Sequence, residues 1–281
     1  MTASTSEHAV TARFDADLLH VLTRTFPFEG ALCIDTTGDD LTIGSVNHAN
    51  VLGVSVTIPT DTLEAYHNTT PGRSLIHPTA ADGLLSILNS VDGKHDTTFE
   101  LDIGPDHVGF HHCDSTRGGE APRERIAVSP VDPDTFDADL DCQTTITAPA
   151  AVEPLYLDAG CPNQNAHAEL AAVDGEASLT MSGTTSKRAD LGDATHPEPG
   201  PVTALYDADY VHTVFDALAW RNDETTLRWG DDLPLVLDMP SDDYQFQAAV
   251  APRVGESLED DPLHQSADQL KSVAAAVAGG F

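Results

Sequence analysis

Short runs of alternating apolar and polar residues dominate the chain, and in a few places the period lengthens to that of a helix. Val10 to Phe14, Ala31 to Asp35, Leu41 to Ser45, Val51 to Ile58 and Arg73 to His77 read as strands. Thr-Gly-Asp-Asp supplies the turn between the second and third of them. Leu18, Leu19, Leu22 and Phe26 lie at helical spacing, so Asp15 to Phe26 reads as a helix that Pro27 stops. Thr79 to Val91 is a second helix, with Thr79 as its cap, Asp82 in its first turn and Leu84, Leu88 and Val91 on one face. Thr62 to His67 reads as one helical turn. Thr97 to Ile103 and His107 to His112 form a hairpin, and Arg125 to Val131 a further strand.

The second half repeats the plan. Thr144 to Thr147 is a strand and Val152 to Gly160 a short helix, with Pro154 suited to its first turn. His167 to Ala172 and Ala177 to Ser182 make a hairpin across Val-Asp-Gly-Glu, and Thr185 to Leu191 is an edge strand. His196 to Pro201 is a Pro/Gly loop. Thr203 to Tyr206 is a strand, and Asp207 to Trp220 a helix with Val211, Val214, Phe215 and Leu218 on one face. Strands at Thr225 to Trp229, Leu233 to Met239 and Gln245 to Ala251 complete a sheet. Strand 73–77, helix 79–91 and hairpin 96–112 recur as 203–206, 208–220 and 224–240, offset by about 130 residues. Between the halves, VDPDTFDADLD holds only Phe136 and Leu140 as large apolar side chains, in an acidic aperiodic background with a Pro that cannot serve a sheet ladder. The expected organisation is a first domain over 1–130, a connector over 131–143, a second domain over 144–261 and an extension over 262–281. The fold class is α+β, two similar domains in tandem.

Charge changes the picture of the surface. The 281 residues carry 46 acids against 13 bases, a formal charge of −33; aspartate supplies 33 of the acids. The acids are spread along the whole chain, and regular apolar runs argue against a disordered acidic tail. At about 1 M salt the Debye length is roughly 3 Å, so dense carboxylates hardly repel one another. In dilute buffer the same surface would push the compact state apart. The composition therefore points to a very salty cytoplasm, and net charge does not exclude DNA as a partner. No run of about 18 apolar residues crosses a membrane, and Met1 to Glu7 has no secretory pattern. The expected location is cytoplasmic, in association with the nucleoid. Four widely spaced cysteines with no C-x-x-C fit neither a disulfide framework nor a cysteine zinc site.

Three stretches resemble the PCNA family of DNA sliding clamps, in its archaeal and halophile-like form. LPLVLDMP followed by YQFQAAVAPRV, from Leu233 to Val254, is similar to the family's VPLVVEY followed by YYLAPKI or YMLAPRI. IDTTGDDLTIGSVNHANVLGVSVTIP, from Ile34 to Pro59, resembles its acidic strand leading into "D-x-S/A-x-V", with Asn47 where the Asp usually stands. YDADYVHTVFDAL, from Tyr206 to Leu218, resembles its "L-x-Y-L-x-x-x-x-K" helix. The resemblance implies a DNA-clamp fold with outer sheets and inner helices, and three chains closing head to tail into a ring around duplex DNA. Glu124 to Val131 and Thr185 to Leu191 would pair across subunits. It also implies a non-enzymatic processivity factor without cofactor, tethering DNA polymerase, placed on DNA by a clamp loader, and binding ligase, flap endonuclease and other PIP-motif proteins. Partner peptides would enter a pocket of Val46, Asn50, Val51, Phe136, Leu140, Pro234, Ala251, Pro252 and Val254. DNA would face His20, Arg24, His212 and Arg221.

Two departures stand out. The family lines its hole with several Lys and Arg, whereas helix 79–91 here has none and the others offer only Arg24 and Arg221. A closed ring holds DNA topologically and needs little of the phosphate affinity that falls with salt. The chain also runs about twenty residues past the acidic stretch Glu259 to Asp261, without a clamp-binding peptide pattern. Competing readings are a paralogous, viral or heteromeric clamp and an acidic mimic of DNA. Adjacent His111 and His112 point to opposite faces of a strand, which disfavours a shared metal. Asp39-Asp40, Asp231-Asp232 and Asp242-Asp243 are expected at solvated turns. No P-loop and no G-x-S-x-G motif occurs.

Overall fold

The computed structural model describes residues 10–14, 30–47, 51–76, 98–104, 106–113, 118–122, 142–146, 152–161, 166–195, 200–218 and 224–253. They group into two compact units, one with the described residues of 10–47 and 55–122, the other with 51–54 and 142–253. The helices expected over 15–26 and 79–91, the strand over 125–131, most of the connector and the extension over 262–281 lie outside the described residues.

The first unit contains β1 (Val10–Phe14), β2 (Gly30–Asp35), β3 (Leu41–Asn47), most of β4 (Leu52–Ile58), β5 (Ala65–Asn68), β6 (Arg73–Ile76), β7 (Phe99–Ile103), β8 (His107–His112) and β9 (Gly118–Pro122). One sheet runs β5-β1-β7-β8-β9, and a second set runs β6-β2-β3-β4. The period of two explains the sidedness of the first sheet. Val10, Ala12, Phe99, Leu101, Ile103, Val108 and Phe110 are buried on one face. Arg13 stands on the other face opposite Glu100 in register and donates to its carboxylate at 2.8 Å. The Thr-Gly-Asp-Asp turn is tied from inside: Asp35, 5% exposed, accepts from the Thr37 N–H and hydroxyl and pairs with Arg73 at 2.5 Å.

Two expectations in this unit need correction. The helical turn over 62–67 is instead a tight turn followed by strand β5. Thr62 donates its N–H and hydroxyl to the Pro59 carbonyl, at 3.1 and 2.8 Å, which closes the turn. Ala65 to Asn68 then take a ladder with β1, register Val10↔Asn68 to Arg13↔Ala65. Leu63 alone is buried there, too little for a helical stripe. The sequence pattern predicts no strand at β9. GGEAP has no alternation, but it pairs only with β8 among the described strands, a position that tolerates Gly and Pro.

The second unit follows the sequence closely. Its elements are β10 (Cys142–Ile146), α1 (Val152–Ala159), β11 (His167–Val173), β12 (Glu176–Ser182), β13 (Ser186–Thr195), β14 (Val202–Asp207), α2 (Ala208–Leu218), β15 (Thr225–Trp229), β16 (Leu235–Pro240) and β17 (Gln245–Val250). The strands run in the order β14-β11-β12-β13-β10-β15-β16-β17. Asp174 and Gly175, at φ 54° and 85°, form the two-residue turn joining β11 to β12, the kind whose twist matches flanking strands. Val211, Val214, Phe215 and Leu218 of α2 are buried, as their spacing predicts. Trp229, Tyr206, Phe215 and Phe246 are the largest fully buried side chains among the described residues. Burying each aromatic contributes on the order of 2–3 kcal/mol. β6 with the β7–β8 hairpin, and β14 with the β15–β16 hairpin, match the strand and hairpin parts of the repeat read from the sequence; the helix of its first copy lies outside the described residues.

Candidate partner-binding site

The segment after β17 is held by backbone bonds on both sides. β16 and β17 pair from Leu235↔Val250 to Pro240↔Gln245, which delivers the chain to Ala251. The Ala251 N–H donates to the Val51 carbonyl at 2.8 Å, and the Arg253 N–H to the Leu205 carbonyl at 2.7 Å. Between them Pro252, which has no N–H, forms a bridge with Tyr206. The Tyr206 hydroxyl donates to the Leu233 carbonyl at 3.0 Å and so fixes the residue before Pro234. Burial pushes the Tyr206 phenol well above its ordinary value, and Asp231 and Asp232 add to the effect. The phenol therefore stays a donor at neutral pH.

Of the nine residues expected in a partner pocket, five are described, and Val51, Pro234, Ala251 and Pro252 among them are buried. The structure joins Val51 to Ala251 directly, and Pro252 to the Tyr206 that anchors Leu233. Val46 sits on β3 of the first unit, in register with Ala31. Asn50, Phe136, Leu140 and Val254 lie outside the described residues. Sequence reasoning missed Leu205, Asp207 and Arg253, which frame this segment. The signal for Asp207 was available: an Asp immediately before a helical run is a capping residue. Its Oδ1 accepts from the Asp209 N–H at 2.9 Å.

The helix pair is acidic. Glu153 and Asp158 on α1, and Asp209 and Asp216 on α2, are exposed, and neither helix carries Lys or Arg. The Tyr156 hydroxyl donates to Asp209 at 2.5 Å, and its ring stacks on His212 with centroids 4.1 Å apart. Burial raises the Tyr156 phenol above its ordinary value, with the Asp209 bond second. His212 is thus engaged in helix packing. Its Nε2 is buried with no hydrogen-bond partner among the described residues. His20, Arg24 and Arg221 lie outside the described residues. The Asp pairs at 39–40, 231–232 and 242–243 are exposed, and no three metal-binding side chains cluster among the described residues.

Among the described residues, most of β13 has a paired strand on one side only. Residues Ser186 to Asp193 pair with β12 on one side, while β10 meets only Ala194 and Thr195 on the other. Lys187 and Arg188 on that stretch are exposed and have no ion-pair partner among the described residues. An open edge is a template for another strand.

No protein-family model matches the sequence, and no curated protein matches it either. Solved structures do. The chain is similar to PCNA from Thermococcus kodakaraensis, with a TM-score of 0.69 at 17% identity over 87% of this chain and 100% of that one. It is similar to proliferating cellular nuclear antigen from Entamoeba histolytica, with a TM-score of 0.66 at 16% identity over 87% and 99%. It is also similar to the PCNA2–PCNA3 complex from Sulfolobus tokodaii, with a TM-score of 0.68 at 16% identity over 87% and 100%. The chain has the DNA-clamp fold, α+β with two similar domains in tandem. Among the described helices none is long and apolar enough to cross a membrane.

Proposed function

We propose that the protein is a sliding clamp, a ring that encircles duplex DNA and tethers polymerase and other replication and repair enzymes without catalysing a reaction. The observation that carries this reading is likeness along nearly the full length of three clamp chains at once. The one-sided pairing of β13 among the described residues supports it, because a head-to-tail contact that closes after three copies covers such an edge. The 131–143 segment is then the interdomain connector, and 262–281 an extension beyond the second clamp domain. Sedimentation in high salt tests the assembly. A mass near three times 29.8 kDa supports the homotrimer, and a stable monomer points to a DNA mimic or to a clamp that needs other subunits. The acidic helix pair is the specific observation that favours a heteromeric or specialised clamp as the second reading.

Two predictions follow the ring. His20, Arg24, His212 and Arg221 are proposed to face DNA, His212 with its ring stacked on Tyr156. Replacing both arginines by Glu should impair loading or sliding at moderate salt, where phosphate contacts count. Normal polymerase stimulation by that double variant would sink the assignment. For partner binding, Phe136 and Leu140 are proposed to wall a groove above the Val51–Ala251 junction, taking a partner's aromatic and aliphatic anchors. Such anchors carry most of the energy in small interfaces. Phe136→Ala with Leu140→Ala should leave the ring intact and weaken a Q-x-x-L-x-x-F-F peptide by at least roughly tenfold, about 1.4 kcal/mol. Equal affinity by calorimetry in high salt would place the pocket elsewhere.

A further inference from the structure

One carboxylate in the second unit serves two masters. Asp207 ends β14 and directly precedes α2. Its Oδ1 accepts the Asp209 N–H at 2.9 Å, satisfying one of the donors that a helix start leaves free. Its Oδ2 accepts from Nη2 of Arg253 at 3.0 Å. Arg253 is also bound through its backbone, donating to the Leu205 carbonyl at 2.7 Å. The two side chains are about one-third exposed, 30% and 32%. Part-buried pairs are screened by salt less than fully exposed ones.

These bonds define the last described stretch of the chain. Ala251 is fixed to Val51, Pro252 bridges Tyr206, and Arg253 is fixed twice to the end of β14. From Asp207 the connection continues: Asp209, whose N–H it caps, accepts the Tyr156 hydroxyl from α1. We propose that Arg253 is a positioning residue for partner docking, setting the backbone of 251–253 through Asp207. By sharing that carboxylate, it couples occupancy of the docking segment to the N-terminus of α2. The docking half of the inference rests on the clamp reading above; the Arg253–Asp207–α2 coupling is testable without it.

The variants separate the two jobs of Asp207. Asp207→Ser keeps a good capping side chain but removes the anion. Arg253→Gln keeps the cap and removes the cation, and Arg253→Lys keeps a cation. With a Q-x-x-L-x-x-F-F peptide in high salt, calorimetry should show Arg253→Gln and Asp207→Ser each weaker by about fivefold, the loss of one charge-assisted bond. The double variant should be no weaker than either single, because both remove the same bond. Arg253→Lys should restore most of the affinity. Wild-type affinity in either single variant, or multiplied losses in the double, overturns the positioning role. In the free protein, Arg253→Gln should speed amide exchange at Asp209 to Val211, and unchanged exchange there overturns the coupling. A wild type that binds no such peptide would defeat the docking reading, while the exchange experiment still decides the coupling.

Discussion

Transfer from about 2 M to about 0.1 M salt is expected to dissociate the proposed ring and to lower the protein's unfolding temperature by roughly 10 °C. The cause is electrostatic and begins with the sequence. Each chain carries −33, and a ring would bring three such chains into contact. The bases are too few to offset this, and the structure shows that those described on the sheets are largely engaged within the chain. Arg13 is paired with Glu100, Arg73 with Asp35, Arg228 with Asp238 and Arg253 with Asp207. Exposed acids stand at the turns of 39–40 and 231–232 and on both described helices. Repulsion between them is short-ranged in molar salt and reaches across roughly 10 Å at about 0.1 M. Lys187 and Arg188, on the stretch of β13 paired on one side among the described residues, are where an assembly would gain attraction against this repulsion. Sedimentation and calorimetry across a salt series check the expectation. An unchanged mass and unfolding temperature at both ends would defeat it.

What the sequence made legible depended on the strength of each local signal. The α2 stripe of Val211, Val214, Phe215 and Leu218, and the hairpin around Asp174-Gly175, have periodicity and turn chemistry that agree with burial and backbone geometry. β9 and β5 had no such signal. GGEAP and AYHN owe their extended form to a neighbouring strand, β8 or β1, so only the tertiary partner reveals them. The candidate site was legible in the same uneven way. The Ala-Pro at 251–252 stood out within a longer resemblance, yet the backbone bonds from Ala251 to Val51 and from Arg253 to Leu205 join positions far apart in sequence. His212 illustrates the converse. Its helical position was read correctly, but its stacking on Tyr156 depends on a helix some fifty residues earlier.

Gly183→Ala is expected to destabilise the second unit by about 3 kcal/mol. α1 ends in a Schellman motif: Gly160, at φ 66°, donates to the Leu157 carbonyl and Cys161 to the Tyr156 carbonyl. That leaves the last carbonyls of the helix to be satisfied from outside. The bend between β12 and β13 does this. Thr185 donates its N–H to Ala159 at 3.0 Å and its hydroxyl to Asp158 at 3.1 Å. Such bonds require the bend to lie directly against the helix end. A Cβ on Gly183 would stand 2.4 Å from the Gly160 oxygen, 2.6 Å from its carbonyl carbon and 2.8 Å from the Ala159 oxygen. All three are backbone atoms, so no side-chain rotation relieves the overlap; the bend must lift off α1 and release its cap. Tyr156, which holds α1 on Asp209 and His212, would be loosened with it. Thr185→Val serves as the comparison, since it removes only the hydroxyl bond and should cost about 1 kcal/mol. Thermal unfolding in high salt measures both, with about 6–12 °C expected for the glycine variant. A glycine variant no worse than Thr185→Val would mean that the bend can part from the helix end at little cost, and that α1 is held by its contacts with α2 instead.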